Sequence, residues 1–307
     1  MKPFGIDFSK IRAIVIMLYR WKDKNSRLLT LLPVLLGVIS VIASLSSFNR
    51  DMLYPFSSQN LNLDIVISEL FPLLIILALY DVVSSQNQSG IMKKILSEPV
   101  SVLEIFLSIF LFVLVYTLVM SISIIVPGFL VSTIASRVKN PQEELRFLSI
   151  LFPTFIYGLF WGLLTISYST RSNSSFKSLG FSIITLVIFS YFLSYFLNSG
   201  LSFLFPAFGI NPNSAEANGL VGMINSILPV PSVSNSISIL AVPSILRYNL
   251  YPYPGSGGTF VYSFDGHISS LLAALYFSLL AITPLIAYIL VSFLFLIFGV
   301  KKIPRLF

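Results

Sequence analysis

The sequence predicts an all-α integral membrane protein with six transmembrane helices. An amphipathic interfacial helix precedes them, and broken or re-entrant helices separate the fifth span from the sixth. Of the 307 residues, 56% are hydrophobic and 10% are charged, whereas soluble domains carry about 25% charged residues. The mean hydropathy is +0.90. Such a chain cannot cover a water-facing surface, so a lipid bilayer is its expected environment.

Residues 1–27 are predicted to form a cytoplasmic amphipathic helix that lies in the membrane interface. Between residues 6 and 24, apolar side chains recur at spacings of three and four, which is the repeat of a helix face. These side chains are Phe8, Ile11, Ile14, Val15, Leu18 and Trp21. The basic residues elsewhere on the helix are Lys10, Arg12, Arg20 and Lys22. This pattern is typical of helices that contact lipid headgroups, and a simple anchor or orientation signal is the alternative.

The segment 28–300 is predicted to be a six-span transmembrane domain, because a spanning helix needs about 20 mostly apolar residues. The six apolar segments are about 28–47, 65–83, 103–126, 147–168, 178–197 and 270–298. The outer segment 198–268 is rich in Pro, Gly, Asn and Ser, which favour turns and loops. Its apolar run 217–246 contains three prolines, which favour broken or re-entrant helices over a continuous span. Residues 301–307 are predicted to form a cytoplasmic tail.

Six spans place both termini on one side of the membrane, and the basic residues predict that this side is the cytoplasm. Fourteen of the 19 Lys and Arg residues fall on it, namely Lys2, Lys10, Arg12, Arg20, Lys22, Lys24, Arg27, Lys93, Lys94, Arg171, Lys177, Lys301, Lys302 and Arg305. The other side holds Arg50, Arg137, Lys139, Arg146 and Arg247. Since basic residues are enriched in cytoplasmic segments, we expect a multi-pass protein of the plasma membrane with both termini inside. The net charge of +7 then reflects orientation and contact with lipids, and nucleic acid is not an expected partner.

The residue types needed for metal and thiol chemistry are nearly missing from the sequence. The chain contains no Cys and a single His, His267. Disulfides, thiolate metal sites and His clusters are therefore excluded, and we expect no metal site.

A polar interruption, SSQNQSGIMKKILSEPVS at 84–101, separates the second span from the third. Residues 84–89 are expected to be a loop, and Gly90 permits a tight turn. A short helix is predicted from Ile91, and it should end before Pro99 because a residue preceding Pro avoids the helical region. The sequence therefore predicts a short helix across one membrane face.

The end of this interruption predicts the start of the third span. Ser101 and Glu104 match the S-x-x-E capping box, in which each residue bonds the backbone of the other. The short helix before them should carry Lys93 and Lys94 on one side and apolar side chains on the other. The apolar side chains are Ile91, Met92, Ile95 and Leu96. A mere connection needs only a few polar residues, so this apolar patch indicates contact with another protein, and an ordinary amphipathic loop is the alternative.

The stretch from Asp81 to Glu104 resembles the cytoplasmic loop of ABC-2 type transporter permeases, a family with a type V exporter-like fold. The residues that carry this resemblance are Gly90, Ile95, Leu96, Ser97, Pro99, Val100 and Ser101. Leu228-Pro229-Val230 is similar to an outer Pro motif of the family, and the run 217–246 is similar to its re-entrant outer hairpin. Gln86, Ile91 and Val102 depart from the Glu, Thr and Arg that are usual there.

The resemblance implies the permease subunit of an ATP-driven ABC exporter, whose short cytoplasmic helix docks on a separate ATPase subunit. The residues it implies for ATPase coupling are Gly90, Ile91, Met92, Ile95, Leu96, Ser97, Glu98 and Pro99. The chain has no Walker or signature motif, so we expect it to be no enzyme by itself and to bind no cofactor. ATP and Mg²⁺ belong to the partner. A six-span chain is half a translocation unit in this family, so a second permease copy, identical or different, is also expected.

Other functions stay open. A secondary transporter usually holds ionisable residues inside its bundle, but Glu69 and Asp81 fall toward opposite ends of the second span, where we expect interfacial positions. A membrane-embedded enzyme needs paired acids, a Ser–His arrangement or a metal cluster, and none lies at a suitable depth. A membrane anchor for another protein is a further alternative.

Two kinds of helix contact are predicted. Gly158 and Gly162 form a small-xxx-small pattern that lets helix backbones approach closely, either within the chain or between protomers. Polar residues of the third and fifth spans are expected to bond neighbouring helices rather than substrate. They are Tyr116, Thr117, Ser121, Ser123, Ser190, Tyr191, Ser194 and Tyr195.

Overall fold

The computed structural model describes residues 6–46, 63, 65–97, 100–135, 141–208, 211, 214–241 and 271–302. All regular secondary structure in these ranges is helical, which confirms the all-α fold class. The helices are α1 (Phe8–Ser46), α2 (Phe71–Leu79), α3 (Ser84–Gln88), α4 (Ile91–Ser97), α5 (Val102–Ala135), α6 (Pro141–Ser149), α7 (Leu151–Arg171), α8 (Ser175–Val187), α9 (Leu193–Leu204), α10 (Ala215–Asn225), α11 (Pro229–Ala241) and α12 (Leu271–Lys302). The first π turn (Val66–Leu70) precedes α2, and the second π turn (Ile188–Phe192) joins α8 to α9.

Five helical stretches of the described chain are long and apolar enough to cross a membrane. They are Val66–Gln88, Val102–Val131, Glu144–Arg171, Ser175–Leu201 and Ala274–Lys301. These stretches coincide with predicted spans 2 to 6, as expected for a multi-pass membrane protein. For the predicted first span, 28–47, the part of α1 whose side chains the structure describes gives a shorter apolar helix, Leu31–Ile42. A count of six spans therefore stays a prediction.

Two contacts in each helix pair show how the helices run. α1 is parallel to α5, the second span is parallel to α7, and α7 is parallel to α12. α5 runs antiparallel to α7, and α8 runs antiparallel to the second span. For the parallel pairs, Asp7–Glu104 and Gly37–Gly128 join α1 to α5, Ser68–Tyr157 and Ser84–Ser169 join the second span to α7, and Phe160–Tyr288 and Ser167–Ser292 join α7 to α12. For the antiparallel pairs, Val113–Gly162 and Thr117–Gly158 join α5 to α7, and Ser84–Ser175 and Glu69–Tyr191 join the second span to α8. Long helices therefore alternate in direction, and one end of the bundle, called the loop end, collects the start of α1, the loop 84–101 and the turn between α7 and α8.

The N-terminal helix differs from the predicted pair of separate elements. α1 is a single helix of 39 residues, and at 1.5 Å per residue it is about 58 Å long, well beyond the roughly 30 Å of a hydrocarbon core. Ile11 and Leu18 of the predicted lipid-facing side are buried in the protein core, whereas Phe8 is 76% exposed. Much of that apolar side is therefore covered by the chain's own helices. An interfacial position of residues 1–27 stays a prediction.

Gly158 and Gly162 both lie in helix contacts inside the chain. A Cβ atom on Gly158 would stand 2.8 Å from the Phe71 ring, and one on Gly162 would stand 2.8 Å from Val113. Because both glycines are buried, the second span and α5 already occupy this face of α7. Both glycines therefore lie at helix contacts within the chain, and a contact between protomers stays a prediction.

The outer segment contains a broken helix, as the prolines predict. The axes of α10 and α11 meet at 99°, and α11 begins at Pro229. α11 packs antiparallel to α12, where the Ser232 hydroxyl donates to the Ala281 carbonyl at 2.6 Å and Ser236 bonds Ser278 at 2.6 Å. This bent pair is either a broken span or a re-entrant element. Residues 242–270, which include His267, lie outside the described ranges.

Candidate functional site

The loop 84–101 has the turn and the short helix that the sequence predicts. Gly90 has a φ of +75°, a left-handed conformation that glycine adopts without strain. Helix α4 follows directly, from Ile91 to Ser97. Residues 84–88 are helical rather than a loop, because backbone bonds resume after a turn at 80–83, for example from the Asn87 N–H to the Val83 carbonyl at 2.9 Å. The expectation of a loop at 84–89 is therefore wrong for most of its length.

The capping box at the end of the loop is confirmed in both directions. The Glu104 N–H donates to the Ser101 hydroxyl at 3.2 Å, and the Ser101 N–H donates to Glu104 Oε2 at 2.7 Å. These two bonds satisfy backbone donors that a helix start leaves open, so α5 begins at Val102.

The same Glu104 carboxylate also holds the start of α1. Its Oε1 accepts a bond from the Asp7 N–H at 2.9 Å. One turn further on, the Ser108 hydroxyl lies 3.4 Å from the Ile11 carbonyl. Asp7 itself accepts two bonds from Ser9, at 2.6 Å from the hydroxyl and 3.0 Å from the N–H, and these bonds lower the pKa of the Asp7 carboxyl. One buried carboxylate thus joins the end of the loop to the N-terminal helix.

The beginning of the loop is bonded to the turn between α7 and α8. The Val83 and Ser84 N–H groups donate to the Ser169 hydroxyl at 3.2 and 3.0 Å. The Ser84 hydroxyl donates to Ser175 at 3.1 Å, and the Gln88 amide donates to the Asn173 carbonyl at 3.0 Å. The loop is therefore fastened to a different helix pair at each end.

A buried ion pair adds a second link between α1 and the loop. Lys22 Nζ lies 2.9 Å from Asp81 Oδ1, with side-chain exposures of 4% and 20%, and it faces the Tyr80 ring at 6.0 Å. Burial lowers the pKa of Lys22, and the negative charge of Asp81 opposes this shift. Arg12 and Arg20 are exposed, but Lys22 is buried and forms an ion pair with Asp81. The expectation that Lys22 contacts lipid headgroups is therefore wrong.

Together these contacts make the first part of α1 a strut between the two ends of the loop. Asp7 is tied to the loop's end through Glu104, and Lys22 is tied to the loop's start through Asp81. The strut, Asp7–Lys22, is about 22 Å long at 1.5 Å per residue. Any displacement of the loop must therefore move α1, the second span and α5 together.

The apolar side of α4 is less available than predicted. Met92 is 2% exposed and belongs to the protein core, and Ile95 packs against that core. The prediction of a free apolar patch is therefore wrong for Met92, because the chain's own helices cover it. Ser97 is exposed. The side chains of Lys93, Lys94 and Leu96 and the residues Glu98 and Pro99 lie outside the described ranges.

Gln86 was singled out in the sequence as a departure from the ABC-2 pattern, and its side chain is 1% exposed. Neither its amide nitrogen nor its amide oxygen has a hydrogen-bond partner in the described protein. Buried polar groups are nearly always bonded, so the unbonded Gln86 amide is expected to destabilise the protein beside the loop.

No protein-family model matches the chain and no curated protein matches it, so its function has to be inferred from its own residues.

Proposed function

We propose that this chain is the membrane-spanning permease subunit of an ATP-driven exporter of the ABC-2 type, and that the loop 84–101 receives force from a separate ATPase subunit. The observation that carries the proposal is the attachment of this loop at both ends, through Ser84 to α7 and α8 and through Glu104 to α1 and α5. A simple connection between two spans does not need such anchoring.

In this proposal the loop acts as a lever. ATP and Mg²⁺ are bound by the ATPase, and its closure displaces α3 and α4. The loop's start is bonded to Ser169 of α7 and its end to Glu104 of α5. A displacement of the loop therefore moves α7 and α5, which run in opposite directions, at the same time. The strut Asp7–Lys22 keeps the two ends of the loop at a constant separation, so the force tilts helices instead of stretching the loop. A second permease copy completes the translocation pathway.

The charges at the loop end support a cytoplasmic position for it. Described basic residues at this end include Arg171, Lys177 and Lys301 as well as those of α1, whereas Arg146 lies at the other end. Cytoplasmic segments carry the excess of Lys and Arg. Both termini would then be in the cytoplasm of a plasma-membrane protein, where a soluble ATPase can reach the loop.

One observation favours a coupled secondary transporter as the second candidate. Glu69 is the fourth residue of the apolar stretch Val66–Gln88, at the end away from the loop. A carboxylate inside an apolar span is costly unless it has a role. This candidate predicts transport driven by an ion or proton gradient without ATP.

Affinity purification of the chain from gently solubilised membranes tests the proposal. We expect an ATP-hydrolysing subunit to copurify, and its activity should fall when Ser97 is replaced by Trp, since Ser97 is exposed on α4. The matched control is Ser199→Trp, which changes an exposed serine on α9. The proposal fails if the purified chain transports with a gradient alone, or if no ATPase accompanies it.

A further inference from the structure

Two spans of the described chain contain a π-helical turn. In the first π turn the Phe71 N–H bonds the Val66 carbonyl, and in the second the Leu193 N–H bonds the Ile188 carbonyl. Both bonds reach back five residues instead of four. Such turns are rare, interrupt the regular bonding of a helix and are common points of bending.

The first π turn is followed by a second interruption. Pro72 has no N–H, so the Ser68 carbonyl one turn earlier loses its helical donor. The Tyr157 hydroxyl of α7 donates to that carbonyl at 3.0 Å, and Tyr157 is fully buried. A neighbouring helix therefore supplies the missing bond, and the second span has a compensated break at this level.

The two π turns face each other at the same height. Glu69 is about 22 Å along the helix from Ser84, and Tyr191 is about 24 Å from Ser175, while Ser84 and Ser175 are themselves bonded. The Tyr191 hydroxyl donates to Glu69 Oε2 at 2.6 Å. Helix α11 of the bent outer pair contacts both π turns.

We propose that the Glu69–Tyr191 bond is a conformational latch between two hinges, the first and second π turns. With the bond made, the second and fifth spans are held together at this level. When it breaks, each span can bend at its own π turn, away from the other and from α11. The hinges and the latch are properties of this chain alone, and only their use in an ATP-driven cycle rests on the proposed function.

The chemistry of the pair suits a latch. A hydrogen bond from a phenol to a carboxylate is charge-assisted, and it is strong where water does not compete. No Lys or Arg of the described chain forms a salt bridge with Glu69, since the sole described salt bridge is Lys22–Asp81. Tyr191 is mostly exposed on the outside of the bundle, so the bond can open without repacking the core. The pair therefore stabilises the state in which the second and fifth spans are held together, and this state can still open.

The latch can be tested by measuring the distance between the two spans in the chain alone, reconstituted in lipid nanodiscs. The chain has no native Cys, so spin labels attached at Ile65→Cys and Tyr195→Cys, both exposed positions, report only the second and fifth spans. We expect one narrow distance distribution. Tyr191→Phe and Glu69→Ala should each raise the longer-distance population by about tenfold, the factor that follows from losing one charge-assisted bond.

Three further variants make the test specific. Glu69→Gln keeps an acceptor oxygen but loses the charge, so its longer-distance population should lie between those of the parent and Glu69→Ala. Tyr276→Phe removes an exposed phenol of α12 and should change nothing. The double variant Glu69→Ala/Tyr191→Phe should open no further than either single variant, because both remove the same bond. The latch is overturned if Tyr191→Phe gives the same distribution as Tyr276→Phe, or if the two single effects add. Since no ATPase is present, this result is independent of the copurification experiment.

Discussion

Lys22 Nζ lies 2.9 Å from Asp81 Oδ1, and this ion pair joins α1 to the last turn of the second span just before the loop begins. The two residues are separated by 59 positions in the sequence. With the bond between Glu104 and the Asp7 N–H, it makes the first part of α1 a strut across the loop. The mechanical coupling proposed here depends on both contacts.

Removal of one partner should therefore destabilise the bundle. Lys22→Met leaves Asp81 charged and largely buried, and we expect a loss of about 2 kcal/mol, below the 3–5 kcal/mol of fully buried pairs because Asp81 keeps some exposure. Thermal unfolding in detergent measures this loss. Arg12→Met, at an exposed position of the same helix, is the control. Equal melting temperatures for the two variants would show that the ion pair is unimportant.

The turn at Gly90 should tolerate only residues that accept a left-handed conformation. A Cβ on Gly90 has no atom within 4 Å, so the cost of Gly90→Ala is backbone strain alone, about 1–2 kcal/mol. Gly90→Asn should lose less, because Asn enters this region more readily. Gly180, on α8, also has open space around it, and Gly180→Ala should stabilise the helix by up to about 1 kcal/mol. If Ala were tolerated equally at both glycines, the strained turn would not matter for stability.

The close approach of α7 to its neighbours should make Gly158 sensitive to one extra carbon. Gly158→Ala brings a Cβ within 2.8 Å of the Phe71 ring, and overpacking of this kind costs about 1–3 kcal/mol. Gly219→Ala, where nothing lies within 4 Å, serves as its control. A melting temperature lowered only by Gly158→Ala is expected in thermal unfolding, and unchanged stability of both variants would contradict the described packing.

Gln86 offers a stabilising substitution beside the loop. Its two buried amide atoms lack partners in the described protein, and replacing such a group by an apolar one of similar shape removes a penalty of about 1–3 kcal/mol. Gln86→Met should therefore raise the melting temperature, whereas Gln86→Glu should lower it by burying a charge. A fall in melting temperature for Gln86→Met would mean that the amide is satisfied in solution, for example by water.

Local features of the loop could be predicted because short-range chemistry determines them. Gly90 needs no partner to turn, and the bonds between Ser101 and Glu104 span a single helical turn. The bend before Pro229 follows from proline's missing N–H in the same way. The helical turn at 84–88 was missed because its polar sequence resembles a loop, and its partners Ser169, Asn173 and Ser175 lie far away in the sequence.

Long-range features could not be predicted from one sequence. Nothing in the pattern of α1 distinguishes the buried Lys22 from the exposed Arg20, because burial depends on where α1 crosses the second span. Likewise, Glu69 and Tyr191 are 122 positions apart, and no spacing rule links them. Met92 was expected on a free patch for the same reason, since the sequence of α4 does not show which side the core covers.

Photo-cross-linking from the loop tests the central claim most directly. A photoreactive amino acid replaces Ser97, exposed on α4, and the same replacement at Ser199 on α9 is the control. After irradiation of intact cells, we predict a covalent adduct between the chain labelled at residue 97 and an ATP-binding protein, and none from residue 199. Equal adducts from both positions, or labelling of a Ser97→Cys variant from outside by a membrane-impermeant maleimide, would contradict a cytoplasmic loop driven by an ATPase.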